Sequence, residues 1–385
     1  MQDEKLISGA PYQICTKLVL DTSDPTISFD QEGVCHQYHD FLQNIAPRWD
    51  CGPDGRAKLE AVVAQIKKDG RGKDFDCIIG MSGGADSSYM LHVMVKEFGL
   101  RPLVFHVDAG WNSELAVHNI DCMVSKLKLD LFTEVVDWAE VRDFQLAMFK
   151  SGLPNIDSPQ DIAFIGVLFQ YAKKFDIKYI MNGGNISTEC VGYPIEFFYY
   201  ADLTLIKDVL ARFCPRKLEN YPFTSSFYRK IYMPYVRGVQ MIKPLNFIPY
   251  IKKSAMDELA AEYGWKPYKQ KHFESRFTRF FEGYWLPARF GFDVRRVQFS
   301  SLILTGQMTR EEALELLEEP PYDPDLIRQD YQYIANKLDI EIDVLKQYEK
   351  MPKKYFWDYK NRSSLYNLGE RLINKISGSR RGGAF

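Results

Sequence analysis

The stretch CIIGMSGGADSSYM, residues 77–90, decides the fold. It begins as an apolar run that ends at Gly80, and a helical pattern starts at about Asp86. Two adjacent glycines with hydroxyl side chains around them stand between the two patterns. Glycine N–H groups can approach an anion closely because no Cβ intervenes, and a helix N-terminus favours negative charge. The stretch therefore predicts a phosphate-binding loop between a strand and a helix.

The acid within this loop indicates a cation. A carboxylate beside phosphate is unfavourable unless a cation lies between them, so Asp86 points to Mg²⁺ held through the phosphates of ATP. Ala85 stands where a Walker A loop has lysine, so the loop belongs to another class. The predicted ATP and pyrophosphate ligands in the loop are Ser82, Gly83, Gly84, Asp86, Ser87 and Ser88.

Strand and helix patterns alternate along the chain. Apolar strand patterns occupy 75–80, 102–107, 131–136 and 178–182, and helical spacing occupies 56–69, 86–98, 113–129, 159–175 and 308–319. This alternation predicts βαβ units. We therefore expect an α/β fold with a doubly wound, mostly parallel sheet, in which ligands bind at the carboxyl ends of the strands.

Polar segments follow the second and fourth predicted strands. They read HVDAGWNSE (106–114) and NGGNISTE (182–189), and the glycines of the second permit close backbone approach. The predicted nucleotide ligands in these segments are His106, Val107, Asp108, Asn182, Gly183 and Gly184. We expect Asp108 and Glu189 to act in catalysis, and Asn185 and Glu189 to reach the second substrate.

Composition excludes several classes of protein. The 385 residues are 46% hydrophobic and 26% charged with a formal net charge of −2, so no basic field predicts nucleic-acid binding. The seven cysteines have no disulfide spacing. The chain shows no signal peptide and no apolar run long enough to span a membrane, so we expect a reduced, cytoplasmic protein.

The sequence patterns suggest three segments. Residues 1–55 form a small module with turn signals and three cysteines, residues 56–245 carry the strand–helix alternation, and residues 246–385 are helical and aromatic. We expect the last segment to contact the substrate or a partner.

The motifs together resemble a known family. Ser-Gly-Gly-x-Asp-Ser resembles the signature of the PP-loop ATP pyrophosphatases, whose fold is HUP-like. The chain from about residue 12 to about residue 330 resembles the N-acetyl sugar amidotransferases of the WbpG and PseA type. The stretches that carry this resemblance are ICTKLVLDTSDPTISFDQEGVC, SGGADSSYM, FHVDAGWNSE, NGGNISTE, KPLNFIPYIKKSA and KHFESRFTRFFEGYWLPARFGFDVRR.

The resemblance implies a reaction in bacterial O-antigen or surface polysaccharide biosynthesis. An acetamido oxygen of a nucleotide-activated sugar, such as a UDP-diacetamido uronic acid, attacks the α-phosphate of ATP, and ammonia then displaces AMP to leave an acetamidino group. Lysine and arginine suit the carboxylate and phosphates of such a sugar. The residues implied for substrate binding are Asn185, Glu189, Lys243, Lys271, His272, Glu274 and Arg279, with Lys271 also implied in catalysis.

Ammonia needs a source. The chain has no Cys at position 2 and no Gly-x-Cys-x-Gly motif, so it carries no glutaminase signature. The resemblance implies a separate glutaminase and an ammonia-channel subunit of the HisH and HisF kind.

The N-terminal module departs from the family pattern. The resemblance implies a zinc ribbon near the start of the chain, with two Cys-x-x-Cys pairs. Here each pair has lost its second cysteine: Leu18 stands where it would follow Cys15, and Tyr38 stands where it would follow Cys35. Structural zinc needs four ligands, so we expect a ribbon-like module packed by apolar contacts, with zinc in doubt.

Three other functions remain open from the sequence. The loop alone also fits a tRNA-modifying enzyme or a nitrogen ligase of the NAD synthetase kind. The degenerate N-terminal module leaves a non-catalytic scaffold for a glutaminase as a third function.

Overall fold

A five-stranded parallel sheet forms the centre of the protein. The computed structural model describes residues 11–199 and 202–364, so the ends of the first and last predicted segments lie outside the described residues. Neighbouring strands run in the order β3–β2–β1–β4–β5. They are β1 Cys77–Gly80, β2 Pro102–Asp108, β3 Leu131–Val135, β4 Tyr179–Met181 and β5 Gln240–Ile242. The parallel α/β fold is thus confirmed, and β5 is an edge strand that sequence patterns did not predict.

Helices cover both faces of the sheet and form most of the chain after β5. They are α1 His36–Asp40, α2 Pro53–Asp69, α3 Ala85–His92, α4 Glu114–Leu127, α5 Trp138–Ser151, α6 Ser158–Lys174, α7 Ile186–Glu189, α8 Ile195–Phe198, α9 Leu203–Phe213, α10 Lys252–Tyr263, α11 Arg276–Phe280, α12 Arg295–Leu304, α13 Arg310–Glu318, α14 Pro324–Leu338 and α15 Ile342–Lys350. π-Helical stretches extend this set at Phe41–Ile45, Val93–Glu97, Tyr228–Val236 and Phe281–Phe290, and short 3₁₀ turns occur at Ala46–Arg48, Pro244–Asn246 and Phe356–Asp358.

Local sequence signals explain several helix starts. Ser113 and Asp137 accept backbone hydrogen bonds that begin α4 and α5. A capping box formed by Thr309 and Glu312 starts α13, because each side chain satisfies a backbone N–H of the other.

The apolar core joins parts of all three predicted segments. Leu18, Phe144 and Trp285 belong to one buried cluster. Ile79 of β1 packs in a second cluster with Trp265, which follows α10. The helical region after β5 therefore covers the carboxyl edge of the sheet instead of standing apart from it.

The N-terminal module is packed around two buried thiols. Cys15 Sγ accepts hydrogen bonds from the backbone N–H groups of Leu18 (3.3 Å) and Cys35 (3.2 Å). Leu18 is fully buried, and Tyr38 packs against the same apolar cluster. Within 11–199 and 202–364 no three His, Cys, Asp or Glu side chains are grouped as a metal site would require.

Candidate functional site

One large cavity of about 1070 Å³ lies along the carboxyl ends of β1, β2 and β4. The helical region after β5 encloses its other side. The predicted residues that line it are Ser82, Gly84, Asp86, Ser87, His106, Val107, Asn182, Gly183, Gly184, Glu189, Lys271, His272 and Glu274. Ser82 and Glu274, 192 positions apart in the sequence, thus line the same cavity.

The loop between β1 and α3 is anchored at Gly83. Gly83 has a φ of +86°, which favours glycine, and a Cβ there would lie 2.8 Å from the Ala116 carbonyl oxygen. The Gly83 carbonyl accepts hydrogen bonds from Trp265 Nε1 (3.0 Å) and Tyr268 OH (3.1 Å). The side chains of Trp265 and Tyr268 therefore hold Gly83 in place, while its neighbours Ser82 and Gly84 line the cavity.

Hydroxyl groups surround the cavity side of the loop. The Gly84 N–H donates to Ser82 Oγ (3.2 Å), which is also 3.2 Å from Ser87 Oγ. Ser88 is fully buried, and its Oγ has no hydrogen-bond partner among the described residues. The cavity side of the loop is thus lined by hydroxyl groups, and the Gly84 amide donates to one of them.

A lysine from the far side of the cavity meets the loop acid. Lys271 Nζ lies 3.0 Å from Asp86 Oδ2, 2.6 Å from Glu189 Oε1 and 3.2 Å from Thr188 Oγ1. The hydroxyl of Tyr250 donates to the other Asp86 oxygen at 2.5 Å. Burial alone would raise the pKa of Asp86, but Lys271, Lys252 and the Tyr250 hydroxyl together outweigh it and hold that pKa at about 2.

The same contacts keep Lys271 charged. Burial opposes its charge, but Asp86 and Glu189 together raise its pKa above the ordinary value. The site therefore presents a fixed ammonium group beside the phosphate loop, which is the charge that the absent Walker A lysine would have supplied.

Glu274 brings a second carboxylate to the loop. A Cβ on Gly84 would lie only 2.0 Å from Glu274 Oε1, so this side chain rests against the Gly84 Cα. Burial raises the pKa of Glu274. Carboxylate oxygens suit Mg²⁺, so Asp86 and Glu274 are donors of the right chemistry for a cation carried in with phosphates.

The end of β2 supplies two cavity residues, His106 and Val107, and one turn residue, Asp108. His106 Nδ1 lies 2.8 Å from the Met81 carbonyl oxygen, and Nε2 lies 2.8 Å from Asn112 Nδ2. Asp108 Oδ1 accepts from the Gly110 N–H at 2.7 Å. Asp108 thus stabilises the turn after β2 and does not line the cavity.

The segment after β4 positions Glu189. Asn182 Oδ1 accepts from the Gly184 N–H (2.7 Å), and Asn185 Oδ1 caps α7 by accepting from the Thr188 N–H (2.9 Å). The Asn185 N–H itself donates to Glu189 Oε2 at 3.3 Å. Asn185 is buried outside the cavity, so its contacts orient the segment.

Two other predicted substrate residues lie outside the cavity. Burial lowers the pKa of Lys243, which lies beside Gly184. Arg279 forms an ion pair with the buried Asp330 (2.7 Å) and also donates to Tyr322 OH (3.1 Å). These contacts tie α11 to α14.

Sequence patterns missed the acidic wall opposite the loop. It consists of Asp157, Asp161 and Glu282, with His272 beside them, and all four line the cavity. His272 Nδ1 lies 2.9 Å from Glu282 Oε1. Burial alone would lower the pKa of His272, but Glu282 raises it to about 9.

The signals for this wall were faint. Asp157 and Asp161 lie at the start of α6, where acids are ordinary capping residues. Trp265 and Tyr268 also line the cavity without any short motif. Only the quoted stretch KPLNFIPYIKKSA, which contains Tyr250 and Lys252, marked part of this region.

Part of the helical region after β5 matches a known protein family. Residues 274–373 match the model described as "LPS biosynthesis protein WbpG-like, C-terminal domain". This part of the chain is similar to the C-terminal domain of WbpG-like proteins, and we refer to it as the WbpG-like domain. The resemblance drawn from the sequence motifs is confirmed for this part of the chain, which contains Glu274, Arg279 and Glu282.

Solved structures give weaker likenesses. An NMN synthetase from Francisella tularensis matches with 14% identity and a TM-score of 0.30, covering 57% of this chain and 98% of its own. An NH3-dependent NAD synthetase from Campylobacter jejuni, solved with nitrate, matches with 15% identity and a TM-score of 0.29, covering 78% and 98%. At these values neither carries an argument about this chain, and no curated protein matched it.

None of the helices in residues 11–199 and 202–364 is both long and apolar enough to cross a membrane.

Proposed function

We propose that this protein is an ATP-dependent amidotransferase that forms AMP and pyrophosphate. Its substrate is a nucleotide-activated sugar of the UDP-diacetamido uronic acid class, and one acetamido group becomes an acetamidino group. The observation that carries the proposal is the single cavity, in which the phosphate loop, Lys271 and the WbpG-like domain meet. A volume of about 1070 Å³ has room for ATP and a second ligand together.

ATP binding follows from the charges of the loop. The Gly84 amide, Ser82 and Ser87 are placed to contact the pyrophosphate part, and Lys271 adds positive charge at the same point. His106 and Val107 at the end of β2 line the cavity beside them, where the nucleoside would bind. Asn182, Gly183 and Gly184 form the opposite edge of this subsite.

Mg²⁺ would be held by Asp86 and Glu274 together with the phosphates. When bound, the ion supplies charge neutralisation for the departing pyrophosphate. Both carboxylates already adjoin the loop, and Lys271 balances Asp86 in its absence. We assign no zinc-dependent step to Cys15 and Cys35.

The proposed reaction has two steps. The acetamido oxygen attacks the α-phosphorus of ATP, the bond to the bridging oxygen of pyrophosphate breaks, and an O-adenylated imidate forms. Ammonia then adds to the imidate carbon, and the carbon–oxygen bond breaks as AMP leaves. Adenylation is required because an amide oxygen is a poor leaving group and AMP is a good one.

Lys271 is suited to the first step. Its ammonium group is fixed by Asp86 and Glu189, so it can meet negative charge that develops at the α-phosphate without first being desolvated. Glu189 is itself oriented by the backbone of α7. We propose these three residues as the catalytic group, with Asn185 and Lys243 supporting the segment that holds Glu189.

Ammonia would come from partner proteins. A separate glutaminase and a channel subunit of the HisH and HisF kind are proposed, because the chain itself shows no glutaminase motif. Delivery through a channel is useful because ammonia in neutral water is mostly protonated and cannot act as a nucleophile.

The test uses the purified protein with Mg-ATP, ammonium chloride and a panel of UDP- and CMP-linked diacetamido sugars. AMP is measured by chromatography and the sugar by mass spectrometry. The proposal predicts AMP together with a sugar in which one oxygen has been replaced by NH. AMP formed with a different acceptor would favour another nitrogen ligase, and ATP binding without any turnover would favour the scaffold.

A further inference from the structure

The hydroxyl of Tyr250 holds the loop acid from outside the cavity. Tyr250 OH donates to Asp86 Oδ1 at 2.5 Å, although 164 positions separate the two residues. Lys271 Nζ lies 3.0 Å from the other oxygen, Asp86 Oδ2. Lys271 lines the cavity and would meet a bound phosphate, whereas Tyr250 does not line it. The contact between Tyr250 and Asp86 can therefore persist when a ligand is bound.

The side chain of Tyr250 is fixed in its place. It is only 3% exposed and belongs to the same buried cluster as Ile79 of β1. Its ring centroid lies 5.4 Å from that of Tyr89, which is part of α3. Gln307 Nε2 donates to the Tyr250 backbone carbonyl at 3.3 Å. The Tyr250 hydroxyl is thus held against α3, the helix that carries Asp86.

The hydrogen bond joins a neutral donor to a charged acceptor. Burial and the adjacent charge of Asp86 raise the pKa of Tyr250 well above its ordinary value, so the hydroxyl keeps its proton. Asp86 has a pKa of about 2 and is ionised at neutral pH. Hydrogen bonds to an ionised group are stronger than those between neutral groups. Tyr250 therefore restrains the Asp86 carboxylate more firmly than an ordinary hydroxyl contact would.

The first backbone N–H groups of α3 are available to a ligand. The N-cap residue of α3 is Gly84, so no side chain caps this end of the helix. Within the described residues, the N–H groups of Ala85, Asp86 and Ser87 donate no hydrogen bond. A Cβ on Gly183 would lie 3.3 Å from the Ser87 nitrogen, so the glycine leaves the approach to this amide open. Free amides at a helix start are the donors that phosphate groups use.

Asp86 is itself a competitor for these amides. It lies in the first turn of α3, and a carboxylate there is attracted to the free N–H groups of its own helix. A carboxylate that turned toward them would occupy the donors and place negative charge where the phosphates bind. In the structure each Asp86 oxygen meets a donor from another segment instead, Oδ1 from Tyr250 and Oδ2 from Lys271.

We propose that Tyr250 is a positioning residue that keeps Asp86 from capping its own helix, so that the first amides of α3 stay available to the pyrophosphate part of ATP. This inference rests on the proposed function, since it assigns a role at the ATP site. Lys271 is the donor that turns to the phosphates when they arrive. Tyr250 is then the donor that still restrains Asp86, and it acts through Asp86 because it does not line the cavity.

The test measures the binding of inorganic pyrophosphate by isothermal titration calorimetry. The buffer contains a chelator and no magnesium, so any role of Asp86 toward a metal ion does not enter. Tyr250→Phe keeps the ring and its packing on Tyr89 but removes the hydroxyl. We expect the Kd for pyrophosphate to rise about 10-fold. Tyr89→Phe is the matched control and should bind normally, because the Tyr89 hydroxyl interacts with Glu258 and not with Asp86.

A second background separates positioning from a structural role. Asp86→Ala removes the competing carboxylate, so this variant should bind pyrophosphate without magnesium at least as tightly as the unaltered protein. Adding Tyr250→Phe to Asp86→Ala should then leave the Kd unchanged, because no carboxylate remains to cap α3. A hydroxyl that only supported the fold would weaken binding equally in both backgrounds, since the two effects would add.

The two proposals fail in different ways. An unchanged Kd in Tyr250→Phe, or an equal loss of affinity with and without the Asp86 carboxylate, would overturn the role of Tyr250 alone. Normal pyrophosphate binding without sugar-dependent AMP formation, for every sugar of the panel, would overturn the proposed reaction alone. An unaltered protein that binds neither pyrophosphate nor ATP would overturn both.

Discussion

Lys271 Nζ and Asp86 Oδ2 lie 3.0 Å apart, although 185 positions separate the two residues in the sequence. This ion pair joins the phosphate loop to the segment that enters the WbpG-like domain. The next residue, His272, turns to the opposite wall, where it pairs with Glu282. Its backbone has a φ of +66°, a conformation that costs a non-glycine residue about 1–3 kcal/mol. Residues 271 and 272 thus join the phosphate loop to the acidic wall.

Replacing Lys271 should abolish adenylation while leaving the fold intact. Lys271→Met removes the positive charge beside the loop, and we expect sugar-dependent AMP formation to fall about 100-fold or more. The measurement is kcat/KM for ATP with ammonium in excess. Lys266→Met is the matched control, because its side chain is exposed and does not line the cavity. A variant of Lys271 with normal turnover would contradict its catalytic role.

Adding a methyl group to the loop should block ATP binding. In Gly84→Ala the new Cβ would meet Glu274 Oε1 at 2.0 Å, so either the loop or Glu274 must move. We expect loss of ATP affinity in isothermal titration calorimetry. Gly192→Ala should bind ATP normally, because no atom lies within 4 Å of its Cβ position. Equal affinities in the two variants would show that the loop does not hold the nucleotide.

The His272–Glu282 pair should make stability depend on pH. Glu282 raises the pKa of His272 to about 9, above its unfolded value of about 6.5. The resulting stabilisation is fully present below about pH 6.5 and is lost as pH rises through 9. The difference in free energy of unfolding between the unaltered protein and His272→Gln, measured with urea, should therefore shrink over this range. A difference that stays constant or grows with pH would contradict the ion pair.

Arg279 should matter for stability more than for catalysis. Arg279 and Arg276 both pair with Asp330, whose side chain is only 1% exposed. Removing one partner of a buried pair costs about 3 kcal/mol, so Arg279→Ala should lower the urea midpoint clearly. The sugar KM of the protein that remains folded should not change. Arg328→Ala, with an 81% exposed side chain, is the control, and a raised sugar KM in Arg279→Ala alone would restore its substrate role.

The N-terminal module should hold little zinc. Its Cys15 sulfur is satisfied by backbone N–H groups, and Leu18 fills the position of a missing ligand. We expect metal analysis of the purified protein to find well under one zinc per chain. One tightly bound zinc per chain, lost in Cys15→Ser, would contradict this packing.

Local signals explain which parts of the fold the sequence predicted. Strands β1 to β4 and the loop are marked by apolar runs and glycines within a few residues, so periodicity detects them. Strand β5 has three residues, Gln240–Ile242, and exists because Tyr179–Met181 offers it a pairing edge. No pattern within so short a segment reveals a tertiary contact.

The candidate site, like the fold, was predictable only where a short stretch of sequence contains the residues concerned. The loop residues were predictable because one short motif contains them. The acidic wall was not, since Asp157 meets Thr278 across 121 positions and Asp161 is defined by having no partner among the described residues. Arg279 was predicted to bind substrate because the sequence does not reveal its ion-pair partner, Asp330, which lies 51 positions away.

The most direct test of the central claim follows one oxygen atom. The sugar is prepared with isotopically heavy oxygen in its acetamido groups and turned over with Mg-ATP and ammonium. If the acetamido oxygen attacks the α-phosphate, the heavy oxygen must appear in AMP and none in pyrophosphate. AMP that forms without the label, while the sugar product keeps all of its heavy oxygen, would contradict the account.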